Sequence, residues 1–222
     1  MGISYPAGTL VRTGEERATL VRRTYSLVFV SVLVTIAGAT FGLSQPSIMQ
    51  AVAAHPIISM IAMFLPLIAA QRARTQFPAN VGFVLLFTFG MGVISSPALY
   101  LYGTRSPGAI SQAAMLTVGA FGVLTIYTFV SRRDFSAWGS FLVVGLWVLI
   151  ATSLLNMFFR NATADLWLAS MTVLIFSGLL IFDTWRLKNV YGPDDYVQAA
   201  LQIYLDLLNM FMALLRIVGR RD

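Results

Sequence analysis

Asp183 and Asp206 are the only carboxylates set inside apolar stretches of this 222-residue chain, 23 residues apart with Gly192-Pro193-Asp194-Asp195 between them. Their midpoint falls in that turn-forming stretch, so two antiparallel helices over 166–187 and 197–218 bring both carboxylates to one depth. At about 1.5 Å of rise per residue, each lies roughly 12 to 16 Å from the turn. That is inside the hydrocarbon slab and short of its midplane. Two carboxylates that meet in a poorly solvated site cannot both ionise cheaply, so they share a proton and form a pH switch. Deprotonated, they call for a basic residue or a divalent cation, and calcium prefers several oxygen ligands. Asp183 and Asp206 are therefore the candidate proton sensors and, when ionised, the candidate ligands of a divalent cation such as calcium.

The second helix of this hairpin carries a polar or small stripe, Gln198, Gln202, Asp206, Asn209, Ala213 and Arg216, at helical spacing. Lipid does not tolerate such a stripe, so the helix faces the interior of a bundle. Gln198, Gln202, Asn209 and Thr184 are the candidate polar lining beside the pair. The competing reading is structural, with both aspartates only bonding helices together. Ionisable groups at membrane depth are costly and usually functional, which favours the switch.

Hydrophobic residues make up 58% of the chain and charged ones 11%, which excludes an ordinary soluble domain. Apolar segments at 25–43, 52–70, 81–102, 109–130, 138–159, 166–187 and 197–218 predict an all-α polytopic membrane protein of seven spans in a single domain. There is no cysteine, which removes disulfides, thiolate metal sites and cysteine nucleophiles. The net charge of +6 sits at the ends of apolar runs, so it reads as an orientation signal and not as a nucleic-acid surface. Membrane lipid is the implied surroundings. Fourteen of the fifteen basic residues are arginine, a bias that fits a GC-rich bacterial genome.

Alternate loops place Arg12, Arg17, Arg22, Arg23, Arg72, Arg74, Arg132, Arg133, Arg186 and Lys188 on one side, against Arg105 and Arg160 on the other. The positive-inside rule then puts the N-terminus and the 192–195 turn in the cytoplasm, as expected for a bacterial inner membrane protein. Residues 1–24 read as a cytoplasmic arm and 219–222 as a short tail. A spanning last segment leaves Arg216, Arg220 and Arg221 outside, against the rule. A re-entrant one returns them, and the length of 197–218 favours spanning. Pro66 and Pro97 fall inside the second and third segments, where they can kink a helix. Gly38 and Gly42 have the small-residue spacing of close helix contact. His55 reads as a boundary residue, Asn156 as a bond across helices, and Asn161-Ala162-Thr163 as a glycosylation pattern without meaning in a bacterium.

Three stretches carry a family likeness: Arg132-Arg133-Asp134-Phe135-Ser136, Phe182-Asp183-Thr184, and Ile203 through Phe211 with the order tyrosine, leucine, aspartate, asparagine. Together they resemble the Bax inhibitor family, also called the transmembrane Bax inhibitor motif or YccA-like family. The resemblance implies a last helix surrounded by six others and, in several members, a pH-sensitive calcium leak sensed by two aspartates on the last two helices. Asp183 and Asp206 stand at those positions. It also implies a latch arginine at the cytoplasmic end of the second helix, for which Arg72 and Arg74 are the candidates. A glutamate found within the second helix of some conducting members has no counterpart in 52–70. Other bacterial members are tied to a membrane-bound ATP-dependent protease and lack the aspartate pair.

Three functions are weighed. The favoured one is a cation leak, with calcium and protons as its ions and no cofactor or catalysis. The alternative is a non-conducting regulator that binds a membrane protease or channel. The third is an intramembrane aspartyl protease, since paired aspartates can activate a water. Against it, Asp206 follows Ile203-Tyr204-Leu205 where those enzymes carry a glycine-rich motif, and no Pro-Ala-Leu element follows.

Overall fold

The computed structural model describes residues 14–73, 76–159 and 161–220. Arg74 and the first half of the predicted arm lie outside the described residues. Within them the secondary structure is all helical: α1 Gly14–Ser44, α2 Pro46–Ala54, α3 Pro56–Ala62, α4 Phe64–Arg72, α5 Ala79–Arg105, α6 Ala109–Val130, α7 Trp138–Phe159, α8 Ala162–Asn189 and α9 Tyr196–Val218. Six of these, α1 and α5 to α9, are each long and apolar enough to cross a membrane, and α2 to α4 supply a further stretch bent by 100°. The chain is a polytopic membrane protein. The predicted boundary at residue 24 is not a structural break, because α1 starts before it and runs on unbroken, with Leu20 and Thr24 buried.

The second predicted span is the one whose form differs most. Pro56 has no N–H and disfavours helical geometry at His55, so α2 stops there, and His55 adopts φ −129° and ψ 59°. The His55 carbonyl then accepts the amide and the hydroxyl of Ser59 and starts α3. Pro66 sits in the first turn of α4, where a missing N–H costs little. Pro97 leaves α5 a single helix. The Val93 carbonyl, which residue 97 would ordinarily bond, accepts the Ser96 hydroxyl at 2.7 Å instead.

Gly38, Gly42 and Gly92 set the α1–α5 pair. Gly38 lies on the Phe89 backbone, Gly42 on the Ser96 side chain and Gly92 on the backbone of Thr35 and Ala39, while the Thr35 hydroxyl reaches the Thr88 carbonyl. Along the series Thr35–Thr88, Gly38–Phe89 and Gly42–Ser96 residue numbers rise together, so the two helices run parallel. The intervening α2 to α4 must therefore carry the chain back across, and Met63 packs on Gly90 midway.

As predicted, the C-terminal helix is central. α9 packs against α1, α5, α6 and α8, and its buried residues, among them Ala200, Ile203, Tyr204, Met210 and Leu215, point to several sides. The Tyr204 hydroxyl meets the Thr35 hydroxyl at 2.7 Å, and its ring lies edge-on to Phe87. α7 stands in the outer layer, fitted to α8 where Gly139 faces Phe182 and Leu142 faces Gly178. Its remaining surface, with Phe141, Trp147 and Phe158, is exposed and apolar as lipid contact requires.

Two ends of the bundle follow. At one, here the hairpin end, Arg23 of α1 lies over the Tyr196 ring of α9 at 5.8 Å, and Lys188 Nζ donates to the Phe129 and Ser131 carbonyls that close α6. At the far end the Ser106 hydroxyl donates to the Gly219 carbonyl, and Arg216 and Arg220 pair with Asp165 at 3.4 and 3.7 Å. α9 thus traverses the bundle as one helix, which decides against re-entry. Asp165 offsets Arg216 and Arg220, two of the tail arginines that stand against the charge rule, and Arg221 lies outside the described residues.

Asn161 proves to be the N-cap of α8, its side chain accepting from the Thr163 and Ala164 amides. Asn156, expected to bond across helices, instead accepts the Asn161 amide in the adjoining turn. Asn161→Ala is expected to cost about 1 kcal/mol, the usual worth of such a cap, read as a lower unfolding midpoint in detergent. An unchanged midpoint would show that the cap contributes nothing.

Candidate functional site

α8 and α9 form the predicted hairpin, closed by a turn in which the Asp195 carboxylate accepts the Gly192 amide at 2.8 Å. Asp183 lies two turns into α8 from this end and Asp206 about 15 Å along α9. The structure brings them together: their side chains interact directly, and the residues are only 7% and 3% exposed. Asp206 Oδ2 is buried without a hydrogen-bond partner among the described residues. Such an atom is costly unless protonated or matched by a donor or cation.

The counter-charge comes from an unexpected place. Arg186, one turn along α8, donates through one terminal nitrogen to Asp183 Oδ1 at 3.3 Å and to Gln202 Oε1 at 3.2 Å. Tyr191 clamps the same amide, its hydroxyl donating to Gln202 Oε1. The guanidinium lies 4.7 Å from the Tyr191 ring centre and 5.6 Å from that of Phe182, both within cation–π range. Burial pushes the Tyr191 hydroxyl well above the usual tyrosine range, so it remains a donor. Two carboxyls sharing one proton against one guanidinium make a neutral site. Losing that proton leaves a net negative charge in low dielectric.

Arg72, the predicted latch, is exposed at the end of α4, and the guanidinium bonded to the pair belongs to Arg186. The sequence signal for this pairing is the i, i+3 spacing of Asp183 and Arg186 on one helical face, which the orientation pattern of the basic residues masks. Among the proposed lining residues, Gln202 joins the pair through Arg186. Gln198 and Gln202 also face a cavity of about 270 Å³ between α4 and α9, with Gln71, Leu67 and Leu201 on its walls. Asn209 turns back to bond the Leu205 carbonyl of its own helix. Thr184 is fully buried on another side of α8, its hydroxyl facing Tyr25 of α1.

A bundle closed around its last helix, with a paired carboxylate on the last two, is the arrangement the three sequence stretches implied. The model of the family described as "Inhibitor of apoptosis-promoting Bax1" matches residues 17–222. The chain belongs to the Bax inhibitor family. Within it, Bax inhibitor 1 of Schizosaccharomyces pombe is similar at 32% identity over 208 residues, covering 91% of this chain and 77% of that one. Protein lifeguard 4 of Mus musculus is 32% identical over 203 residues, 90% of this chain and 84% of its own. An uncharacterized membrane protein of Vibrio cholerae is 33% identical over 217 residues, 95% and 93% of the two chains. The Bax inhibitor family likeness therefore takes in the whole bundle, from the first turn of α1 to the end of α9.

Proposed function

We propose that this protein is a pH-sensitive cation leak, with calcium as the favoured ion and Asp183 and Asp206 as its gate. The observation that carries this reading is the pair itself: two buried carboxyls on adjacent helices of the central hairpin, with one oxygen unsatisfied and one arginine, Arg186, bonded to them among the described residues. In the closed state Arg186 takes the place that the resemblance assigned to Arg72 or Arg74. A change in protonation alters the charge that Arg186 must balance, loosens its bonds to Asp183 and Gln202, and frees α8 and α9 to shift. The cavity at Gln198 and Gln202 gives ions and water an approach to that point. Calcium takes about six to eight oxygens. The two carboxylates and the Gln202 amide oxygen fall short of that, which suits a transported ion more than a stored one. In this reading the hairpin end is cytoplasmic, in a bacterial inner membrane, and the arginine bias supports that orientation.

Calcium entry into liposomes holding the purified protein tests this between about pH 6 and 8, where a coupled buried pair can titrate. Flux should follow pH in the unmutated chain, and Asp183→Asn or Asp206→Asn should each abolish that dependence. Folded protein that passes no calcium at any pH would end the leak reading. The regulator reading would then be pursued by deleting residues 1–13, ahead of α1, and assaying binding to a membrane protease.

A further inference from the structure

The outer face of α6 carries a feature separate from the aspartate site. Val123, Ile126, Tyr127 and Val130 line an open groove of about 490 Å³ that ends at Ser131 and Arg133. From Val123 to Ser131 it runs about 12 Å along the helix, from the hairpin-end interface into the hydrocarbon. Its volume is in the range of small-molecule sites, about 300–1,000 Å³.

The groove's head is cationic by construction. The last carbonyls of α6 would repel an anion, but Lys188 Nζ bonds those of Phe129 and Ser131 at 2.9 and 3.2 Å and offsets them. Asp134, the loop's one carboxylate, is turned onto the Ser136 amide at 2.8 Å, while Ser131 Oγ accepts the Arg133 amide. Phe135 is buried against Tyr127 and Trp138 and anchors the loop. Arg132 and Arg133 are left exposed at the polar margin of an apolar channel, where with Lys188 they outweigh Asp134. This gives a role to the Arg132–Ser136 motif, which the aspartate site does not use.

We propose that this groove binds one anionic phospholipid, its acyl chain along Val123 to Val130 and its phosphate against Arg133. The channel opens sideways to the bilayer, its apolar length matches part of an acyl chain, and its charge sits at headgroup level, which is the complement of an acidic lipid. The proposal does not depend on the leak reading.

Native mass spectrometry of the full chain in mild detergent, with phosphatidylglycerol or phosphatidylcholine added, tests it. One phosphatidylglycerol should be retained under activation that strips phosphatidylcholine. Arg133→Gln should weaken retention about fivefold, the worth of one interfacial charge. Ile126→Trp, at an exposed groove position, should abolish it by filling the channel. Arg22→Gln, an exposed arginine on α1 at the same end, should retain the lipid as the unmutated chain does. Equal retention of phosphatidylcholine, or retention unchanged in Arg133→Gln, would overturn the proposal. So would equal losses in Arg22→Gln and Arg133→Gln, which would mark diffuse attraction to a basic surface.

Discussion

Arg186→Gln is expected to destabilise the folded protein by about 2 kcal/mol, below the roughly 3–5 that follow when one partner of a fully buried ion pair is removed. The discount reflects exposure: the Arg186 side chain is 21% accessible against 9% for Asp183, and solvent screens it in part. The loss falls on the carboxyls, because Asp183 and Asp206 remain buried with no other cation bonded to them among the described residues. The penalty is therefore expected to grow with pH, since only the ionised carboxylate has lost its counter-charge, and to be larger near about pH 8 than near about pH 5. Asp183→Asn on the same background removes the charge and should recover most of the stability, a coupling that a double-mutant cycle measures. Unfolding midpoints in detergent at the two pH values provide the readout. Equal losses at both, or no recovery in the double variant, would show that Arg186 acts through its packing on Phe182 and Tyr191 instead.

Gly92→Val and Gly38→Val should have the larger effect still, leaving little folded protein to purify. A Cβ at Gly92 falls 2.1 Å from the Thr35 carbonyl oxygen and 2.8 Å from the Ala39 nitrogen, and one at Gly38 falls 2.1 Å from the Phe89 carbonyl oxygen. These are backbone atoms of helices, so no rotamer change relieves the overlap and α1 and α5 must separate along their length. Overpacking in a core usually costs about 1–3 kcal/mol. Here the cost is expected to exceed that range, because separation also breaks the bonds from the Thr35 hydroxyl to the Thr88 carbonyl and to Tyr204. Gly119→Ala is the matched control. It meets nothing within 4 Å, and in a helix interior it should be neutral or slightly stabilising. Expression and monodispersity in detergent compare the three. Well-behaved Gly92→Val protein would show that the α1–α5 contact can be given up.

How much was readable in advance differs from residue to residue. The Asp183–Asp206 hairpin was legible because it is local: a turn with equal helical lengths on either side sets the depth of both carboxylates whatever the other helices do. The small spacing of Gly38 and Gly42 was legible as a contact, though it does not say which helix is met or that the two run parallel. The second span was legible as an apolar stretch and its bend at His55 was not, because hydropathy measures how apolar a segment is and not whether its backbone is continuous. Pro56, counted as a boundary marker, is the residue that breaks it.

Arg186 shows the limit most clearly. Ten basic residues on one side obey a single orientation rule, and nothing in a count distinguishes the one that turns inward from those that stay with the headgroups. Composition and periodicity by themselves determined the membrane class, the all-helical architecture, a last helix whose polar stripe faces the bundle interior and the meeting of two carboxylates, since apolar length, turn position and helical pitch are properties of contiguous chain; that the other helices surround the last one was implied by the family resemblance. The tertiary structure alone decided that Arg186 balances the pair, that Gln202 and Tyr191 hold it there, that α9 crosses in full, and that Asp165 receives the tail arginines. Each of these depends on which side chains from distant segments come within bonding distance, and that is set by how the helices pack together.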